Sequence, residues 1–533
     1  REQKGLEVRD FHLPGRSVAL GTRGAAATSH QQATLTAIEV LRNGGNAIDA
    51  AVAASALLGV IEPQSTGIGG DCFALVWIAG ERKLYGINGS GHAPAGISAE
   101  WLKGQGFSKV PGDSVHSVTI PGSVRAWALL LGRFGKRTLA QALEPAIEAA
   151  EHGFPIAERV ASDWRMFADR LAVHPATREQ FLVAGHPPAT GTVLRYPLLA
   201  GTLRAIATDG ADVFYAGQLA ADMVASLNEV GGRHEVADFG DWQPALVEPV
   251  RIDYRGIDVY QIPPNGQGVT AAMMLNILEG FEHSGLDPVG TDRFHLQIEA
   301  YRLAAAARDA YIADPDFAEV PTSQMLSHAY AEAMRARIDP RRAMDDPVPE
   351  PIGPTDTVYL TTADAEGNFC SLINSIAGAF GSFIACPRTG VLFQNRGSNF
   401  TLADGHPNQV GPRKRSLHTI IPGFATKDGA PFLSFGVMHG FYQPVGQVQV
   451  LQNIVDFGMD VQQALDMGRG MRTPSGFEAE RSLPNATLAG LIERGHPVRM
   501  ADMAWGGGQA IMPVASVLHA GSDPRKDGAA LAY

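Results

Sequence analysis

A chain of 533 residues, 45% of them hydrophobic, is long enough to bury a large core, and length alone corresponds to roughly two to four ordinary domains. Its formal net charge of −12 disfavours nucleic acid and anionic membranes as partners, since both would repel it, and small-molecule chemistry is the expectation that remains. Cys72, Cys370 and Cys386 lie far apart, give no metal-ligand spacing and suit a reducing compartment, where they are expected as buried thiols.

The opening segment, REQKGLEVRDFHLPGRSVAL, has no long apolar stretch behind a basic region. Neither a signal peptide nor a membrane anchor is expected there, and the cytoplasm is the expected location. His30 to Gly59 reads as helix, with Ala33, Leu35, Ile38, Val40 and Leu41 on one side before a stop at Gly44-Gly45 and a restart over Ala47 to Leu58. The glycine-rich GIGG at Gly67 to Gly70 lacks the Lys-Ser/Thr of a nucleotide loop and the full dinucleotide spacing, so close backbone packing is expected instead of phosphate binding. Phe73 to Ile78 and Val118 to Ile120 read as strands, and Arg125 to Phe134 and Leu139 to Glu151 as helices. Phe294 to Ile312, with Leu296, Ala300, Leu303 and Ala307 at helical spacing, is the clearest helix of the middle region. With glycine and proline spread along the whole length and no repeats, one compact unit is expected.

After Glu350 the character changes. Asp346 to Thr355 holds four prolines and a glycine in ten residues and cannot be regular structure. This tether runs into Thr357 to Ala363 and Phe369 to Ser375, two expected strands around an Ala-Glu-Gly-Asn turn. A threonine hydroxyl is a weak nucleophile without a base, and an N-terminal threonine supplies that base from its own α-amine. Thr357 is therefore a candidate nucleophile if the Asp356-Thr357 bond is cut. By itself it reads more readily as an ordinary strand-starting threonine.

The segment GGNAIDAAVAASALLGVIEPQSTGIGGDCFALV, Gly44 to Val76, resembles the opening signature of the γ-glutamyltranspeptidase family of N-terminal-nucleophile hydrolases. The resemblance continues through TIPGSVRAW, LEPAIEAAEHGFPI, YRGIDVYQIPPNGQG, EAYRLAAAARDAYIADPDF, TDTVYLTTADAEGN, TGVLFQNRGSNF and GPRKRSLHTIIPG, in the family's order and over nearly the whole chain. It implies an α+β fold, the four-layered αββα sandwich of N-terminal-nucleophile hydrolases. It also implies self-cleavage between Asp356 and Thr357 into subunits 1–356 and 357–533 that remain together, and it leaves open the association of two such heterodimers.

The same resemblance implies site roles. Thr357 is the nucleophile, Ser375 the hydroxyl that positions it, and the backbone N–H groups of His439 and Gly440 form the oxyanion hole, with histidine standing where the family has glycine. No metal or cofactor is implied. Departures fall on substrate binding: Ser90 stands near the family's carboxylate-binding arginine, Asn399 at its amine-binding acid, and His418 and Thr419 at its paired serines. A γ-glutamyl group would leave charges unpaired at about 2 to 5 kcal/mol each. Arg396, with His418 and Thr419, is the expected receiver of a small anionic acyl group, Arg396 alternatively serving an internal ion pair. The ten residues Thr401 to Val410 are expected to be too short for a covering lid, which favours water as acyl acceptor. The pattern looks most like the bacterial oxamate amidohydrolase and glutathione-hydrolase-like branch. The expected function is hydrolysis of an oxamate-type amide. Alternatives are a γ-glutamyl hydrolase or transpeptidase, a glutaryl-cephalosporin acylase, and, outside enzymes, an unprocessed binding protein of the same fold.

Overall fold

The computed structural model of the protein describes residues 9, 11–12, 15–283, 285–345 and 357–533. The proline-rich tether and Asp356 therefore lie outside the described residues.

Two helices open the chain. His30 caps Gln31–Arg42 by accepting the Gln32 N–H on its ring, and Gly44 takes a left-handed φ of 87° to end the run. Asn46 then starts Ala47–Ile61 with a reciprocal capping box to Asp49, and every residue of this second helix is buried. Leu35 departs from expectation: it is 51% exposed, and Thr34, Thr36 and Ala37 occupy the covered face in its place. The expected helices further on are found as Ser123–Phe134, Leu139–His152 and Thr291–Tyr311.

Val118 to Ile120 is not a strand. It follows the 3-10 turn Val115–Ser117, the Ile120 N–H donates to the His92 carbonyl, and Pro121 has no N–H with which to extend a ladder. Burial of Val118 and Ile120 explains the apolar run that resembles a strand.

The fold is mixed α+β, built on two seven-stranded antiparallel sheets. One runs Ala529–Ala532, Ala25–Thr28, Val358–Ala363, Phe369–Ser375, Asp71–Ile78, Lys83–Gly89 and Ala245–Val247. The other runs Ala19–Gly21, Val517–Ser522, Gly508–Val514, Ala430–Val437, Gly423–Lys427, Ile257–Gln261 and Val250–Tyr254. Strands that precede the tether and strands that follow it are interleaved in both.

Period-2 alternation divides each strand between two cores. In Asp71–Ile78, Cys72, Ala74 and Val76 pack with the two opening helices, while Phe73, Leu75 and Trp77 face Phe424, Ile511 and Met438 of the other sheet's region. In that sheet Val259, Leu433, Phe435 and Ala510 turn outward to pack on the helices Gly268–Glu279, Thr291–Tyr311 and Gln443–Val455. The successive cores are thus helix against sheet, sheet against sheet, and sheet against helix. Cys72, Cys370 and Cys386 are buried free thiols, as expected.

The expected hairpin begins one residue later than read, as Val358–Ala363 and Phe369–Ser375 in antiparallel register from Val358 opposite Asn374 to Ala363 opposite Phe369. Asp364 organises its turn: Oδ1 accepts the N–H groups of Glu366 and Asn368. Its Oδ2 accepts the Ala47 N–H, which ties the hairpin to the first turn of the buried helix. Thr357 and Ser375 are thereby brought to the same end of the hairpin.

Candidate active site

Thr357 precedes its strand and is 1% exposed, with Oγ1 3.1 Å from the Ser375 Oγ. Ser375 ends the paired strand, where its Oγ accepts the Ala377 N–H at 2.9 Å and Arg396 Nη2–H at 3.2 Å. Gly70 lies directly beneath. A Cβ there would stand 2.2 Å from the Ser375 carbonyl oxygen, and one on Gly69 would stand 2.0 Å from the Leu392 carbonyl oxygen. The glycine-rich turn is packed against backbone, as its lack of nucleotide-loop residues predicts.

Arg396 opens the 3-10 turn Arg396–Asn399 and is fully buried. Its Nη1–H donates to Thr419 Oγ1 at 2.6 Å and its Nη2–H to Ser375. No carboxylate lies within ion-pair distance of Arg396 among the described residues. Burial lowers its pKa to about 10, with the Asp71 carboxylate opposing that shift, so the guanidinium remains charged at neutral pH. Gln267 Nε2–H donates to the carbonyls of Thr419 and Gly440, at 2.8 and 2.9 Å. A continuous polar chain therefore links Thr357, Ser375, Arg396, Thr419, Gln267 and Gly440.

His418 is also fully buried. Its N–H and carbonyl bond the backbone of Asn265 and Gln267, and its ring lies 4.6 Å from the Phe73 ring, centroid to centroid. Nδ1 accepts the Ile420 N–H at 3.3 Å, which leaves Nε2–H to donate to Asp71 Oδ2 at 3.0 Å. Burial first and the Arg396 charge second pull the His418 pKa down to about 4, against the pull of Asp71. The ring is thus neutral. Asp71 Oδ1 accepts three further donors, the Gly91 and Gly122 N–H groups and Gln394 Nε2–H.

Ser90 and Asn399 complete the set. Ser90 Oγ accepts Asn265 Nδ2–H at 3.0 Å, and Asn265 in turn meets the His418 backbone. Asn399 Nδ2–H donates to the Leu417 carbonyl at 3.0 Å, next to His418. His439 and Gly440 both take left-handed backbone conformations, φ 91° and 48°. That is unusual for histidine and is held here by a packed surround. The His439 ring stands edge-on to Trp505 at 5.3 Å and lines a small cavity with Met438, Phe167 and Ala379.

Beside this cluster lies a cavity of about 580 Å³. Ala377, Gly378 and Asn399 line it, Phe167, Phe383, Phe400 and Phe441 give it aromatic walls, and Lys109, Arg170, Asp113 and Asp309 supply charge. Thr401 and Leu402 border it, while the Thr401 N–H donates to the Asn408 carbonyl and the Val410 N–H to the Thr401 carbonyl, closing this short segment on itself. Among the described residues no cluster of His, Cys, Asp and Glu could hold a metal ion, and no helix is long and apolar enough to cross a membrane.

Thr357, Ser375, Arg396, Thr419 and Gly440 lie on the polar chain, and Ser90, Asn399 and His418 adjoin it through Asn265, Leu417 and Gln267, while the His439 ring stands apart against Trp505. Asp71, Gln394, Asn265 and Gln267 have no role assigned in the sequence reading, although each lies inside a motif that carries the family resemblance. Their importance is in buried hydrogen bonds, which residue type and spacing do not encode.

The chain belongs to the γ-glutamyltranspeptidase family, whose model matches residues 33–533, and it is an N-terminal-threonine hydrolase made as a proenzyme. Among individual proteins it is 35% identical to the glutathione hydrolase-like YwrD proenzyme of Bacillus subtilis over 96% of this chain and 99% of that one. It is 31% identical to the oxamate amidohydrolase proenzyme of Klebsiella pneumoniae over 96% and 99%. The crystal structure of a cephalosporin acylase from Bacillus halodurans matches with a TM-score of 0.92 at 40% identity, covering 99% of each chain.

Proposed function

We propose that this protein cuts its own Asp356-Thr357 bond and then hydrolyses a small acyl amide through an acyl-enzyme on Thr357. The carrying observation is the buried Thr357 hydroxyl 3.1 Å from Ser375 Oγ, within one connected polar cluster. On this reading residues 1–356 and 357–533 are the two subunits of the αββα sandwich of N-terminal-nucleophile hydrolases. Thr357 Oγ attacks the amide carbon, and the α-amine freed by the cut takes its proton. The N–H groups of His439 and Gly440 receive the developing negative charge on the carbonyl oxygen. The protonated amine then gives its proton to the departing nitrogen, and water cleaves the resulting threonine ester by the same two steps in reverse order.

For the acyl group, the reading is a small carboxylate-bearing amide of the oxamate type without an α-amine. Asn399 has no charge with which to hold an ammonium, and Ser90 none with which to hold a carboxylate. Arg396, His418 and Thr419 are the polar groups of that end of the site. A second reading concerns the leaving group. The cavity of about 580 Å³ with four phenylalanines has room for an amine much larger than ammonia, as in an acylase acting on a ring-bearing amide.

Denaturing gel electrophoresis tests the nucleophile. The unmodified protein is expected as two bands and Thr357→Ala as one. A single full-length band for the unmodified protein after prolonged incubation would overturn the reading. A panel of oxamate, glutaryl, γ-glutamyl and plain acyl amides on the matured protein tests the substrate, with γ-glutamyl amides expected to be the poorest of the anionic set.

A further inference from the structure

We infer that Arg170, seated on Phe383 in the wall of the cavity of about 580 Å³, is a specificity-determining residue that receives a carboxylate carried by the leaving amine. The substrate class is then an acyl amide of a ring-bearing amino acid, the amine being released when the amide C–N bond breaks. The inference rests on the proposed chemistry at Thr357 and on the larger leaving group of the second reading.

The cavity adjoins both ends of the proposed reaction centre. Ala377 and Gly378 lie just past Ser375, and Phe441 directly follows Gly440. Arg396, His418 and Thr419, assigned to the acyl end, do not line it. It is therefore the space left for the amine side of the amide, and its phenylalanines suit a ring there.

Polar groups on the wall divide by what they already hold. Asp309 is bound to Arg308 Nε–H at 2.7 Å. His406 accepts the Asn408 N–H on Nδ1 and gives Nε2–H to the Asp309 carbonyl, so both ring nitrogens are engaged. Asn395 spends its side-chain amide on the Gly112 carbonyl and the Gly378 N–H. Arg170 and Lys109 differ. The one ion pair of Arg170 among the described residues, to Asp113, is 3.5 Å long, and the Asp113 side chain is 62% exposed. Lys109 is exposed and has no ion pair among the described residues. Two cations thus face one loosely held carboxylate, and the excess at this wall is positive.

Arg170 is also fixed in place. Its guanidinium carbon stands 3.9 Å from the centroid of the Phe383 ring, a contact that engages the charge and leaves N–H donors for a ligand. Phe383 is buried and packs on Phe167 and Phe380, which makes the platform rigid. Loss of solvent draws the Arg170 pKa below the ordinary guanidinium value, with Asp113 opposing. A cation that is partly desolvated and held still gains more from a planar carboxylate than a freely solvated one would.

The test uses the full chain, unmodified and as Arg170→Met, Arg170→Lys and Asp113→Asn, with thermal melting to confirm the fold. Binding of 3- and 4-aminobenzoate, each beside its uncharged aminobenzamide, is titrated by saturation-transfer NMR. The unmodified protein is expected to hold at least one aminobenzoate about fivefold or more tighter than its amide. Arg170→Met should erase that preference and Arg170→Lys keep part of it. Asp113→Asn should enlarge it, because Asp113 competes with the ligand for Arg170. Raising the salt from about 0.05 M to about 0.5 M should shrink it. Turnover of the oxamyl and glutaryl amides of the same amines gives a second readout: the acid-to-amide ratio of kcat/KM should fall toward one in Arg170→Met, the change residing in KM. The inference fails if no aminobenzoate binds, if acid and amide bind equally, or if the preference survives Arg170→Met. Should Arg170→Met not fold, the Asp113→Asn gain and the salt dependence decide. Failure of the nucleophile reading looks different, because the unmodified protein would then remain one band without turnover while the binding comparison still reports on Arg170.

Discussion

His418 gives its Nε2–H to the Asp71 carboxylate at 3.0 Å with neither side chain exposed to solvent. Asp71 is the more consequential partner, because its Oδ1 also receives Gly91, Gly122 and Gln394. Replacing it by asparagine removes the charge and places an amide among four donors. Asp71→Asn is therefore expected to lose about 2 to 5 kcal/mol. Chemical denaturation of the unprocessed Thr357→Ala background measures this as a two-transition or single-transition shift of midpoint; a change below about 0.5 kcal/mol would contradict the account.

Burial holds several of the described histidines uncharged. His30, His234 and His418 each have a pKa lowered from the ordinary 6.5 to about 4 by loss of solvent. Between pH 6.5 and about 4 the unfolded chain binds protons at these positions that the folded chain does not. Unfolding free energy then rises with pH, so stability falls as the solution is acidified through this window. Calorimetric melts across it are expected to show declining Tm with net proton uptake on unfolding. His234→Gln should reduce that uptake by about one proton. An unchanged uptake would mean that His234 is charged in the folded protein.

Two glycine substitutions separate crowded backbone from open backbone. Gly70→Ala drives a methyl to 2.2 Å from the Ser375 carbonyl oxygen, whereas Gly80→Ala meets nothing within 4 Å. The first should displace the strand end that bears Ser375, destabilising by about 1 to 3 kcal/mol or more and slowing self-cleavage. The second should process at the parent rate. Gel time courses decide, and equal rates for the two would remove the glycine-rich turn from the account of the site.

Asn399→Asp tests the substrate reading from the opposite direction. The present amide donates to the Leu417 carbonyl at 3.0 Å, and a carboxylate there would face that carbonyl oxygen instead. The substitution should destabilise by about 1 to 3 kcal/mol without creating useful γ-glutamyl hydrolysis, because Ser90 still supplies no charge for the carboxylate. A gain of tenfold or more on a γ-glutamyl anilide would show that the amine contact alone limits this enzyme.

The hairpin and the long helices were legible because each has a local signature: strand-forming composition over Phe369 to Ser375 and helical spacing from Leu296 to Ala307, whereas Thr357, the proposed nucleophile, stands out only through the family resemblance. Val118 to Ile120 misled because a buried coil and a buried strand share the same apolar composition. Leu35 misled for the converse reason, since small Thr34 and Thr36 fit between close-packed helices where a leucine would not. Arg396 is the instructive case. Its type alone suits an anion, and the groups that its two terminal nitrogens meet, Thr419 Oγ1 and Ser375 Oγ, are set by tertiary packing that residue type and spacing do not carry. Asp71 was silent because one carboxylate in an apolar strand carries no spacing from which its four partners can be read.

The interleaving of strands carries a consequence for the life history of the molecule. Cutting the proposed bond leaves Ala25–Thr28 hydrogen-bonded between Ala529–Ala532 and Val358–Ala363, and Val517–Ser522 held by Ala19–Gly21. The halves cannot part without dismantling both sheets, so the mature pair should endure dilution as though it were one chain. Once melted, however, it would have to rebuild two shared sheets from separate polymers, a second-order encounter in place of an intramolecular search. Maturation would thus act as a ratchet: recovery from denaturation should depend on concentration after the cut and be independent of it before.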